Sequence, residues 1–186
     1  MRYSAEHKEQ TKTAILRAAG HVFRAEGYGG SGIDALTKAA GVTNGAFYGH
    51  FKTKSEAFRA IIGLGLEGLV ETVGQYQDTH GEGWLGPFVD FYLGPKITCD
   101  IGDACTLPML SSEVARSDDQ AHQVYEVEFR RLITAVARGT GGDENRAIAV
   151  LALLASGATF ARAILDPQLR DQIVQATRAG IVAVAG

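Results

Sequence analysis

An all-α fold is predicted for this 186-residue chain by three features of its sequence. Apolar residues recur at spacings of three and four over long runs, period-two alternation is absent, and clusters of Gly, Pro and Asp cut the runs into helix-sized segments. With 46% hydrophobic residues the chain can bury a real core, and no internal repeat or low-complexity tract divides it.

From Glu6 to Glu26, Ile15, Ala18, Ala19, Val22 and Phe23 recur at i, i+3, i+4, i+7 and i+8, which predicts an amphipathic helix stopped by Gly27. Its polar lead carries Arg2, Lys8 and Lys12, either a solvated tail or an arm that touches phosphate or minor groove. Ser31, three residues before Asp34, is placed to cap a second helix whose apolar face is Ile33, Leu36 and Ala40. Gly41 stands where a tight turn needs positive φ, and a third helix begins near Thr43, with Phe47 and Phe51 as its apolar edge. Two short helices joined by such a turn make a helix-turn-helix, whose second helix can enter a DNA major groove. Its first turn would present Thr43, Asn44, Gly45 and Ala46 to base edges, where Asn matches adenine and Thr or Ala meets a thymine methyl. Tyr48, His50 and Lys54 are placed to reach phosphates.

A further helix from about Ser55 to Tyr76 keeps Phe58, Ile61, Ile62, Leu69 and Val73 on one side. Its Gly63, Gly65, Gly68 and Gly74 need a reason, since an interior glycine costs about 1 kcal/mol relative to alanine; close packing is the commoner one. Gly81, Gly83, Gly86 and Pro87 mark a loop around a short segment in which Trp84, Leu85, Phe88, Val89, Phe91, Tyr92 and Leu93 form either a pocket wall or a crowded core. The stretch GPKITCDIGDAC reads as a loop, and helices follow from near Cys105 through SSEVAR and from Asp118 or Asp119 to Arg138, the latter with Tyr125 among its ring-bearing positions. Ala147 to Leu165 is apolar nearly all round, with a small-residue stripe of Ala152, Ala155, Ser156, Thr159 and Ala163. Asp166 and Pro167 open the last helix, whose apolar face is Leu169, Ile173, Thr177, Gly180, Ile181 and Val184. Two final helices with this much apolar surface imply a partner.

The stretch GVTNGAFYGHFKTKSEAF resembles the recognition helix and following helix start of the tetracycline-repressor (TetR) family of bacterial transcriptional regulators. The resemblance reaches upstream to Thr13 and covers about the first third of the chain. It implies a three-helix DNA-binding domain over residues 1–54 and a six-helix effector-binding and dimerisation domain over 55–186. It also implies a homodimer on a palindromic operator in double-stranded DNA, released by a small-molecule effector. In that setting the Ser31 hydroxyl meets a phosphate, and Trp84, Phe88, Tyr92, Cys105 and Tyr125 are expected at the effector pocket. The last two helices would form a four-helix interface with the partner through Ala152, Ala155, Ser156, Thr159, Ile173, Thr177, Gly180 and Ile181. The segment ACTLPMLSSEVAR resembles a Cys-led segment of one subgroup, which makes Cys105 either a packing residue or a sensor of electrophiles or oxidants.

Charge is asymmetric in the same sense. Residues 1–54 hold eight Lys/Arg against four Asp/Glu, and residues 55–186 hold ten against seventeen, so the nucleic-acid end is the basic one. Cys99 and Cys105 have neither CxxC spacing nor a His/Cys cluster around them, so no metal site or disulfide framework is expected and no cofactor is called for. The N-terminus lacks a signal-peptide core, and the longest uncharged C-terminal stretch, fifteen residues, falls short of the roughly 20 that span a bilayer. A cytoplasmic chain without a membrane partner is expected. An enzyme would need Cys105 as nucleophile with His7, His21, His50, His80 or His122, but no nucleophile setting, phosphate loop or HExxH surrounds any of them, so catalysis is not expected.

Overall fold

The computed structural model describes residues 5–186, and among these it forms ten α-helices and no strand. Helix α1 runs Ala5–Gly30, α2 Ile33–Ala40, α3 Asn44–Tyr48, α4 Lys54–His80 and α5 Leu85–Tyr92. Then come α6 Pro95–Thr98, α7 Thr106–Val114, α8 Asp119–Arg138, α9 Glu144–Ala163 and α10 Pro167–Ala185. One helix more than expected is present because a single turn, α6, forms with Pro95 at its first position inside the stretch read as loop. Arg2 of the basic lead lies outside the described residues.

Local chemistry sets most helix starts. The side chains of Thr53, Asp118, Asp143 and Asp166 accept backbone N–H bonds at the starts of α4, α8, α9 and α10. Ser31 does not cap α2: that position is Gly32, which offers no side chain, and the buried Ser31 hydroxyl donates back to the Gly27 carbonyl at 2.9 Å. Gly27 interrupts α1 without ending it, with φ 76° and ψ 164°, and the chain takes another turn to Gly30.

One core cluster runs through the molecule, from Ile15 and Phe47 past Ile62 and Leu66 to Trp84, Leu132 and Leu154. The most extensive helix pairings are α4 on α8 and α9 on α10, while α1 packs on α2, α4, α7 and a 3₁₀ turn at Ile101–Asp103. The glycines of α4 divide into two kinds. A Cβ on Gly65 would overlap the Thr106 side chain, so α7 approaches α4 only because that position is bare, whereas Gly74 has no atom within 4 Å of such a Cβ. Gly74→Ala is therefore expected to stabilise the fold by up to about 1 kcal/mol and Gly65→Ala to destabilise it. Opposite shifts in the thermal midpoint would show this; a rise for both would remove the close-packing account of Gly65.

The α9–α10 hairpin resolves the apolar faces of the last two helices. Gly157 faces Thr177 so closely that a Cβ would overlap it, Gly180 faces Leu153, and Ile181 is fully buried. Thr177 and Gly180 thus face α9 within one chain, while Ile181 is buried and Ile173 half-buried. What the hairpin leaves exposed is Ala152, Ser156, Thr159 and Phe160 on α9, with Ala155 half-buried, and Leu169, Ala176, Ala179 and Ala183 on α10. By length and composition α9 is apolar enough to cross a bilayer, yet one side of it packs on α7, α8 and α10.

Candidate nucleic-acid interface and effector cavity

Helices α2 and α3 meet through a turn in which Gly41 adopts φ 66°, ψ 29°, the left-handed conformation that glycine reaches without steric cost. Its N–H and that of Val42 return to the Lys38 and Thr37 carbonyls, closing the end of α2. Thr43 caps α3 by accepting from the Ala46 N–H at 3.1 Å. Phe47, fully buried and ring-packed on Tyr48 and Phe51, anchors α3 to the core, so Thr43, Asn44, Gly45 and Tyr48 are left exposed on its outer side. Ala46 and His50 are half-buried.

Asn44 is already engaged. Its amide N–H donates to Asp34 at 2.7 Å, and its carbonyl accepts from the Thr37 hydroxyl at 2.8 Å, which braces α3 against α2. One N–H and one lone pair remain, the number that a bidentate adenine contact uses. Lys54 also differs from expectation. Its ammonium donates to the carbonyls of Tyr28 at 2.7 Å and Ser31 at 3.0 Å and lies 4.1 Å from the Tyr28 ring centre, so it ties the end of α1 to the start of α4 rather than standing free for phosphate. Lys54→Ala is expected to cost about 1.5–3 kcal/mol of stability, measured by denaturant unfolding. A fall in DNA affinity with unchanged stability would return Lys54 to the phosphate set.

The free cations beside α3 are others. Lys8 and Lys12 lie on α1 next to His50 and Gly49, and Lys52 is exposed just after α3. Partial burial, with repulsion from Lys8 and Lys12 added, holds the His50 imidazole below its usual range, so it is neutral near pH 7 and adds no charge to the rim.

Of the recesses in the helical body, two adjoin α1 and α4. The larger, about 870 Å³, is an open groove between α1, α4 and α8 with both acids and bases on its walls, among them Glu9, Arg17, Glu67 and Glu128. The smaller, about 200 Å³, lies where α1, α4, α5 and the start of α7 converge, lined by Arg24, Leu69, Phe91, Tyr92, Lys96 and Cys105 among others. The Tyr92 hydroxyl is buried there with no oxygen or nitrogen partner, and the Cys105 thiol lies beside it within reach of a weak hydrogen bond. Burial pushes the Cys105 thiol up, although Tyr92 and the Leu107 N–H at the start of α7 pull the other way. A thiol so held is protonated near neutral pH. Release of DNA by N-ethylmaleimide is therefore expected to be the same in wild type and Cys105→Ser, with Cys99→Ser as control; resistance of Cys105→Ser alone would make it the sensor.

Residues 15–61, which span α1, the turn and the start of α4, match the sequence model described as bacterial regulatory proteins, tetR family. The chain carries a tetR-family helix-turn-helix segment. Among curated members it is 36% identical over 76 residues to the HTH-type transcriptional regulator AcrR of Shigella flexneri, covering 41% of this chain and 35% of that protein. It is 41% identical over 63 residues to the HTH-type transcriptional repressor BepR of Brucella suis biovar 1 (strain 1330), covering 34% and 30%. The matches thus span about a third of these relatives' length. The tetR-family fold extends much further: SCO4454, a TetR-family transcriptional regulator from Streptomyces coelicolor, superposes with a TM-score of 0.77 over 95% of both chains at 15% identity.

Of the residues predicted for the effector pocket, Tyr92 and Cys105 line the small cavity. Trp84 and Phe88 do not: both are core residues packed on each other, and the Trp84 N–H donates to the Gly139 carbonyl at 2.8 Å. Tyr125 stacks on Phe129 and shares a hydrogen bond with Ser111. The aromatic run is thus mainly crowded core. Sequence reasoning missed Arg24 and Lys96 at the cavity and Lys52 beside α3; for Lys52 its place just past the helix was a usable signal, for Arg24 there was none.

Proposed function

We propose that this chain is a DNA-binding transcriptional regulator, a repressor that leaves a palindromic operator when a small-molecule effector binds. Residues 1–54 act as the DNA-binding domain and residues 55–186 as the effector-binding and dimerisation domain of a homodimer that works in the cytoplasm. The observation that carries this reading is the exposed start of α3, Thr43 to Gly45, on a helix anchored by buried Phe47 and flanked by Lys8, Lys12 and Lys52. Small residues there let the backbone approach base edges, Tyr48 is 55% exposed at the same edge, and the lysines supply the phosphate contacts. Two such units related by a two-fold axis read half-sites in successive major grooves, about one helical turn apart. No side chain of this arrangement is asked to perform catalysis.

Selection of bound genomic fragments followed by gel shifts over a salt series tests the reading. Lys52→Ala and Lys8→Ala are each expected to weaken all sequences alike and to lower the salt slope by about 1, while Thr43→Ala alters base preference at one position by about 1–3 kcal/mol. Failure to retain any duplex even at low salt would remove the function. A selection that returns no palindrome would remove the two-fold mode.

A further inference from the structure

We infer that the small cavity takes an organic acid, a carboxylate on a short apolar body, with the carboxylate held by Arg24 and Lys96 and hydrogen-bonded by the Tyr92 hydroxyl. The inference rests on the reading of the chain as an effector-controlled regulator and names the chemical class of that effector. Two cations line the cavity and no carboxylate does. The guanidinium of Arg24 uses its Nε to donate to the Gly102 carbonyl at 2.5 Å, and among the described residues its terminal N–H groups make no hydrogen bond; the planar fork lies beside Gly20, where Arg24 lines both this cavity and the larger groove. The carboxylate that Arg24 feels, Asp103, is exposed on the side of His21 and Asp100, outside the cavity lining. Lys96 is half-buried, with its ammonium 5.7 Å from the Phe91 ring centre.

Tyr92 supplies the second, independent observation. Its side chain lines the cavity at 2% exposure, and its buried hydroxyl has no oxygen or nitrogen partner, only the weakly bonding Cys105 thiol beside it, although buried hydroxyls in folded proteins are nearly always well bonded. A carboxylate oxygen satisfies it. The remaining wall mixes apolar Leu69, Phe91 and Ala104 with Thr72, Cys105 and Thr106, and the cavity, about 200 Å³, is below the roughly 300–1,000 Å³ of drug-sized sites, so the acid is small. Arg24 belongs to α1, and the Gly102 carbonyl it grips belongs to the 3₁₀ turn that packs on α1. An acid that takes the guanidinium therefore acts on the contact between the helix leading into the helix-turn-helix and the effector-binding body, and it releases the operator by binding better to the state in which that contact has changed.

Calorimetric titration of the DNA-free, full-length protein with acetate, butyrate and benzoate, each paired with its amide, tests the site. At least one acid is expected to bind about tenfold or more tightly than its amide and to release operator DNA in a gel shift. Arg24→Gln is expected to erase that preference and Tyr92→Phe to reduce it; if Arg24→Gln fails to fold, Lys96→Gln carries the same test. Acids and amides that bind alike in the wild type, or a preference that survives Arg24→Gln, would overturn the inference, and binding without operator release would overturn its coupling to α1. Loss of the acid preference with operator binding intact removes this inference alone, whereas a protein that binds no duplex fails the regulator reading itself.

Discussion

Ser156→Arg is expected to yield a monomer whose affinity for a palindromic operator falls by about 10²- to 10⁴-fold, the advantage lost when two linked half-site contacts become one. Ser156 lies in the exposed stripe of α9 between Ala152 and Thr159, and its hydroxyl donates within its own helix, to the Ala152 and Leu153 carbonyls. In a two-fold interface each substitution occurs twice, so two guanidinium groups would be buried against small residues with no carboxylate among them. The monomer itself should keep its fold, because the replaced side chain is exposed. Sedimentation and helical circular dichroism, run beside the gel shift, check both halves; a dimer that survives Ser156→Arg would place the two-fold axis elsewhere than on this stripe.

Trp84→Ala is expected to destabilise the chain by about 3–5 kcal/mol and to lower the thermal midpoint by roughly 6–20 °C. The indole is 1% exposed, packs on Phe88, and donates to Gly139 just past the end of α8. Gly139 is bare because a Cβ there would overlap the indole, so the ring, the α8–α9 loop and α5 form one packed unit. Trp84→Phe keeps the ring and loses the N–H, which should cost about 1–3 kcal/mol for the carbonyl left without its partner. A loss of under about 1 kcal/mol for Trp84→Ala would mean that the site is a roomy pocket wall after all.

Most of the helical layout was legible because its causes are local. Thr53, Asp118, Asp143 and Asp166 cap their helices with N–H groups two or three residues away, and Pro167 and Gly41 act through their own dihedrals. The helix-turn-helix was legible for the same reason, as was the burial of Phe47. Helix α6 was not, since a four-residue turn is too short for any periodicity to register. Ser31 looked like a cap by spacing alone, but burial turned its hydroxyl toward Gly27. Lys54 and Asn44 looked free because nothing in a linear reading shows which carbonyls and carboxylates a side chain will meet once the helices pack.

By itself, then, the sequence determined the all-α class, the place of nearly every helix, the turn between α2 and α3 and the basic character of that end. Periodicity, caps and charge balance act within a few residues or as sums over a segment, so they survive without coordinates. Only the tertiary structure decided that Arg24 reaches the Gly102 carbonyl 78 positions away, that Tyr92 lines a cavity while Trp84 braces a loop, and that Thr177 and Gly180 close a seam inside one chain while Ser156 stays outside it. Those outcomes depend on which helix faces meet, and a face with apolar or small residues carries no mark of which partner will cover it.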